Sequence, residues 1–253
     1  MSQPNPFLAA QTQPASNDPA PEPRAVAAGQ GWTWIVEGFN QFKKQAGLWV
    51  GVALLLFVIL LVLAMIPLLG MVATTLLIPV FVGGLMLGCR NLQRDAPFEI
   101  AYLFAGFKER TSELLIVGAL GLAGSIVVII PVLLITGGGA FLGTMRGDAA
   151  GVAMVGGSFL LALLVALALS VPLYMALWFA PTLVALRGTA PVAAVKLSFA
   201  GCLRNMVPFL IYGIALLVLG IVATIPLLLG WLVLGPVLVA SVYAAYRDIY
   251  GGD

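Results

Sequence analysis

Apolar positions in this chain come in long unbroken runs, not at the alternating or 3.6-residue intervals of a half-buried strand or a surface helix. The run over 46–89 is nearly uninterrupted. A membrane crossing takes about 20 apolar residues at about 1.5 Å each, so this run holds two. Pro67 and Gly70 near its middle suit a tight reversal. The pattern predicts spans over 46–66 and 70–89, and a third over 114–135. The run over 207–246 is again double length, with Pro226 and Gly230-Trp231 at its centre, giving spans over 207–226 and 230–248. The stretch over 151–186 is too long for one crossing and too short for two. Its crossing is placed at 162–186, kinked at Pro172 and Pro181. Residues 136–161, with eight glycines between 137 and 157, read as an external loop with room for a short interfacial helix.

A short amphipathic stretch precedes each odd-numbered span. The first sets Trp32, Ile35, Val36, Phe39 and Phe42 at helical spacing, with Glu37, Asn40, Gln41 and Lys44 elsewhere. The second begins at Pro97, a favourable first helical residue, and places Phe98, Ala101, Phe104 and Phe107 on one side. The third begins at Pro191 and aligns Val192, Val195, Phe199 and Leu203. Such helices either lie in the membrane interface or extend the spans into the cytoplasm and pack on one another. The interfacial reading is preferred, because rings would enter lipid while cations meet anionic headgroups. Its candidate lipid contacts are the aromatic Trp32, Trp34, Phe39, Phe104 and Phe199, and the cationic Lys43, Lys44, Lys108 and Arg204.

These pieces recur as one unit used three times. Ile66-Pro67-Leu68-Leu69, Ile130-Pro131-Val132-Leu133 and Ile225-Pro226-Leu227-Leu228 close the odd spans. Phe39 lies 28 residues before its proline, and Phe104 and Phe199 each lie 27 before theirs. Phe104-Ala105-Gly106 matches Phe199-Ala200-Gly201. Even spans carry a second proline, at Pro79, Pro181 and Pro236, and Arg90 and Arg247 follow theirs by eleven residues. The predicted fold is therefore an all-α integral membrane protein, with six transmembrane helices in three amphipathic-helix-plus-hairpin repeats over 31–250.

Composition agrees. The 253 residues are 62% hydrophobic and 9% charged, against about 45–50% apolar and about 25% charged in soluble domains. Apart from Arg247 and Asp248 at the end of the last, the spans hold no charged residue, which removes the usual mark of an ion-coupled pump. Of the 12 Lys and Arg, only Arg146 falls on the far side of these spans. That bias places both termini in the cytoplasm. Residues 1–30, rich in Pro, Gln, Ala and Ser, read as a disordered cytoplasmic tail without the features of a signal peptide. The net charge of +2 and the lack of a basic run argue against nucleic acid as a partner. Histidine is absent, which removes the commonest general base and metal ligand. Cys89 and Cys202 show no metal or disulfide spacing and read as packed thiols. No cofactor is expected.

The three units, the Ile-Pro-Leu-Leu turns and the start Gly31-Trp32-Thr33-Trp34-Ile35-Val36-Glu37-Gly38-Phe39 together resemble a family of uncharacterised bacterial inner-membrane proteins. More distantly, the architecture over about 30–250 is similar to the membrane domain attached to some bacterial glycerophosphodiester phosphodiesterases. The resemblance implies an inner-membrane location and carries over no catalytic residue. Mitochondrial carriers also place six spans in three units, but Leu68 and Leu69 stand after Pro67 in place of their charged signature. The function expected is a non-enzymatic membrane protein that organises lipid or partner proteins at the cytoplasmic face. The alternative is a transporter or channel for a small neutral or apolar solute.

Overall fold

The computed structural model describes residues 22–251, and these are helical without a strand. The elements are α1 (Gln30–Lys44), α2 (Ala46–Ala64), α3 (Leu69–Gln93), a 3-10 helix (Ile100–Phe107), α4 (Thr111–Arg146), α5 (Ala149–Trp178), α6 (Ala180–Arg187), α7 (Pro191–Arg204), α8 (Met206–Thr224) and α9 (Trp231–Tyr250). Six helical stretches are long and apolar enough to cross a membrane: α2, α3, α4, α5 continued by α6, α8 and α9.

Two of the three proline turns form as the pattern predicts. Pro67 and Pro226 end α2 and α8, and the leucines after them turn the chain with positive φ, Leu68 at 59° and Leu227 and Leu228 at 51° and 68°. The third does not. Pro131 stays inside α4, which runs for 36 residues, about 54 Å. The external loop expected over 136–161 is instead the far end of a helical hairpin, α4–α5. Glycine explains the difference. Gly139, Gly143 and Gly151 face the opposite helix so closely that a Cβ on Gly143 would lie 2.6 Å from the Gly151 carbonyl oxygen. The missing side chains let two backbones pack where a glycine-rich loop was expected. Gly147 at φ 66° ends α4, and the Asp148 carboxylate accepts the Gly151 N–H at 2.7 Å to start α5.

Pro172 remains within α5, and Pro181 sits in the first turn of α6, past a break at Phe179. A proline lacks the N–H that would continue the ladder, and its ring opposes the carbonyl four residues back. The Ser198 hydroxyl of α7 enters the gap. It donates to the Met175 carbonyl at 2.7 Å and accepts the Phe179 N–H at 2.9 Å, relaying the helical bond that the break interrupts.

The core gathers at the end of the bundle that carries α1, the 3-10 helix and α7. Trp34, Trp49, Phe98, Phe179 and Tyr243 are fully buried there, and Trp49 stacks on Phe98 at 4.2 Å. Away from this foot the helices bury little. α2, apolar all round, buries only Trp49 and Val52.

The tail expected over 1–30 needs one correction. Residues 1–21 lie outside the described residues, but 22–29 are tied to the bundle. The Arg24 N–H donates to the Ile249 carbonyl at 2.7 Å, and Pro23 is buried. The side chain of Asn205 accepts the Val26 N–H at 2.8 Å and donates to the Arg24 carbonyl at 2.9 Å. One buried amide thus supplies this segment with both a donor and an acceptor, which composition alone does not reveal.

Candidate membrane-surface site

α1 divides its surface three ways. Trp34, Ile35, Gly38, Gln41 and Phe42 are buried against the bundle. Trp32, Val36, Phe39 and Lys43 recur at i, i+4, i+7 and i+11 and form a continuous exposed stripe, apolar until its last residue. Asn40 and Lys44 lie on a third, polar side. A helix between protein and water needs only two faces. A third face, apolar and uncovered, suits a helix at the meeting line of protein, lipid and water. Lys43 reaches back over the Phe39 ring, 5.1 Å from its centroid, which places its charge at the edge of the apolar stripe.

The other two elements repeat this exposure. Phe39, Phe104 and Phe199, matched by sequence position, are 43%, 38% and 36% exposed. In the 3-10 helix a period of three puts Ala101, Phe104 and Phe107 outward, and Phe104 meets Phe81 edge-on at 6.3 Å. In α7 the outward stripe is Val192, Lys196, Phe199 and Leu203. Lys108 and Arg204 are exposed at the ends of these elements.

Each element rests on a different long helix. α1 lies on α9, where a Cβ on Gly38 would stand 2.6 Å from the Val237 carbonyl oxygen and 2.8 Å from the Ser241 nitrogen. The 3-10 helix lies on α3, where Gly106 faces the Val80 carbonyl and Gly84 faces the backbone of Tyr102 and Gly106. α7 lies on α5 through Ser198. The three stripes are therefore spread around the bundle.

Three expected placements are corrected. Trp34 is not a surface residue: it is fully buried, and its indole N–H donates to Asp248 at 2.8 Å. Two tryptophans two residues apart on a helix point to different sides, and only Trp32 joins the stripe. Lys44 turns from the stripe to the end of α3, pairing with Asp95 at 2.7 Å and donating to the Leu92 carbonyl at 3.3 Å. That hydrogen bond and the ammonium charge hold the Asp95 carboxyl below its ordinary value. Phe98 is buried against Trp49 because the 3-10 helix starts at Ile100, after the extended Glu99.

Sequence reading missed the groups that fasten these elements. Arg187 of α6 donates to the Tyr246 hydroxyl at 2.7 Å and to the Tyr250 and Gly251 carbonyls at 2.6 and 3.0 Å, capping the end of α9. Asn205 and Asp248 hold the chain start and Trp34. Each directly follows an arginine, Arg204 or Arg247, so the sequence showed them only as part of a polar helix end. Cys202 is buried in α7, and burial pushes its thiol up to about 12, which leaves it protonated and unreactive.

No protein-family model matches the chain, and no solved structure does. Over 251 residues it is 28% identical to a protein of Burkholderia thailandensis described as a probable inner membrane protein, an alignment that covers 89% of this chain and 93% of that one. With six helices suited to crossing a bilayer, this likeness identifies a multi-pass membrane protein.

Proposed function

We propose that this chain is a non-enzymatic protein of the bacterial inner membrane, with both termini cytoplasmic, whose three amphipathic elements organise lipid or partner proteins at the inner leaflet. The observation that carries the reading is the three-way division of α1, with its uncovered Trp32, Val36 and Phe39 stripe. The similar exposure of Phe39, Phe104 and Phe199 extends it to the other elements. The inner-membrane location follows the wording of the Burkholderia relative, and the orientation follows the Lys and Arg bias.

The packing supports three repeated units closed in a ring. Each amphipathic element lies on the second long helix of the unit before it, and α1 completes the circle on α9. The receiving positions are four residues apart each time: Val80 and Gly84, Met175 and Phe179, Val237 and Ser241. By this register Pro172, and not Pro181, stands nearest to the places of Pro79 and Pro236. The foot of the bundle is filled by Trp34, Trp49 and Tyr243, which favours anchoring over conduction of a solute.

Spin labels on the reconstituted protein test the reading. Labels at Val36→Cys and Phe39→Cys should be relaxed by oxygen, which partitions into lipid. A label at Asn40→Cys should be relaxed by a water-soluble nickel chelate. If all three respond to the chelate alone, α1 lies in water and the proposal fails.

A further inference from the structure

Beside the lipid stripe of α1 lies a cavity of about 270 Å³, lined by Glu37, Asn40, Gln41, Lys44, Gln93 and Arg247. Every lining side chain is polar, in a chain that is 62% hydrophobic. The floor is built: Gln41, only 6% exposed, donates to the Gln93 side-chain oxygen at 2.9 Å, joining α1 to the end of α3. That bond positions the Gln41 amide, while its buried Oε1 has no hydrogen-bond partner and is left at a cost. The walls carry opposite charges. Arg247 of α9 and Glu37 of α1 stand 4.0 Å apart, the limit of an ion pair, and both face the cavity. Lys44 adds a second cation, already paired with Asp95. Phe39 and Lys43 of the exposed stripe adjoin Asn40 and Lys44 in sequence, so the interfacial reading of α1 puts the cavity at headgroup depth.

We propose that this cavity binds a zwitterion that joins an ammonium to a phosphate, the chemistry of a phosphoethanolamine group. The phosphate oxygens take the guanidinium of Arg247, with the Asn40 and Gln93 amides within the same cavity. The ammonium N–H groups donate to the Glu37 carboxylate. Such a ligand satisfies both charges where their mutual pairing is weakest. A trimethylated ammonium keeps the charge but has no N–H to donate, so a phosphocholine group is the discriminating control. The group comes either from an inner-leaflet lipid or from a free solute. The lipid-borne form rests on the interfacial reading of α1, and the solute form does not.

The test uses the full chain in detergent, with bound lipids counted by native mass spectrometry as phosphatidylethanolamine or phosphatidylcholine is titrated. A parallel arm follows 31P line broadening of O-phosphoethanolamine. The expected result is at least a tenfold preference for phosphatidylethanolamine. Glu37→Gln and Arg247→Gln should each reduce that preference below about threefold. Glu37 is partly exposed, so its variant keeps the fold and the measurement even if Arg247→Gln loses it. Broadening of O-phosphoethanolamine that the Glu37→Gln variant abolishes, without lipid preference, upholds the site and makes its source a solute. Equal retention of both lipids with no broadening overturns the proposal, as does a preference that survives Glu37→Gln. The spin labels at Val36 and Phe39 report on the interfacial reading separately, so either can fail alone.

Discussion

The foot of the bundle and the α4–α5 hairpin are both apolar enough to cross a bilayer, the hairpin more so, and they have opposite structures. Of the apolar windows that define the spans, 56% of α3 and 61% of α9 is buried, against 17% of α4 and 6% of α5 continued by α6. Apolar sequence shows that a helix can cross lipid. It does not show whether that helix meets protein or lipid when it does. What separates the two regions is the placement of small and polar groups. At the foot, Gly38, Gly84 and Gly106 bring backbones into contact, and Asp248, Ser198 and Arg187 fasten the joints. Along the hairpin most close glycines serve the hairpin itself, Gly118 packing instead on the α3 backbone at Thr75 and Leu76, and Gly137 and Gly138 face open space.

That contrast can be broken by paired substitutions. Trp34→Ala empties a fully buried site and strips Asp248 of its partner, and it should destabilise the protein by about 3–5 kcal/mol. Trp32→Ala, two residues away in the exposed stripe, should change stability by less than about 0.5 kcal/mol. Helix loss on heating in detergent, followed by circular dichroism, measures both. Similar melting shifts would mean that α1 does not pack as described.

Phe39→Asp places a carboxylate on the uncovered stripe. In lipid the cost should be about 2–4 kcal/mol if the ring lies deep, and less at headgroup level. The same variant in water would cost almost nothing, so reversible unfolding in bicelles compares the two surroundings. Gly38→Ala and Gly137→Ala should differ in sign. The first drives a Cβ to 2.6 Å from a carbonyl oxygen and should lose about 1–3 kcal/mol. The second enters open space and should gain about 0.5–1 kcal/mol from helix propensity. A gain at both positions would mean that α1 and α9 can move apart freely. The smallest effect is Lys43→Gln, which should lower attraction to anionic lipid by about 1 kcal/mol. Lys44→Gln should leave that attraction unchanged, since Lys44 is held by Asp95. Retention of the variants on liposomes of graded anionic content reads the difference.

Much of this architecture was legible. The number of crossings follows from run length alone, and the two short hairpins turn where Pro67 and Pro226 stand. The middle hairpin was misread because glycine has two opposite uses. Gly147 ends a helix by adopting a positive φ, while Gly143 and Gly151 extend a hairpin by removing side chains between two helices. Composition does not tell which use applies, because the choice depends on the facing helix. Trp34 and Phe98 were misassigned for a related reason. Each lies on an amphipathic stretch with apolar residues on more than one side, and only the position of the neighbouring helix shows which side faces protein. The cavity beside α1 was invisible because Glu37, Gln93 and Arg247 come from three separate elements.

The joint between α1 and α9 also sets a timetable for biogenesis. Trp34 and its partner Asp248 are separated by 214 positions. Chains emerge at about 5–20 residues per second, so α1 leaves the ribosome about 10–40 s before the helix it packs on exists. During that interval the side of α1 bearing Trp34, Ile35 and Phe42 lacks the cover of α9, and α8, which brings Phe209 and Tyr212 against Trp34, arrives only shortly before it. A nascent chain halted before α9 would leave Trp34 without its Asp248 partner and Gly38 without its contacts at Val237 and Ser241. Completion of this fold is thus checked by its last helix, which clamps the first.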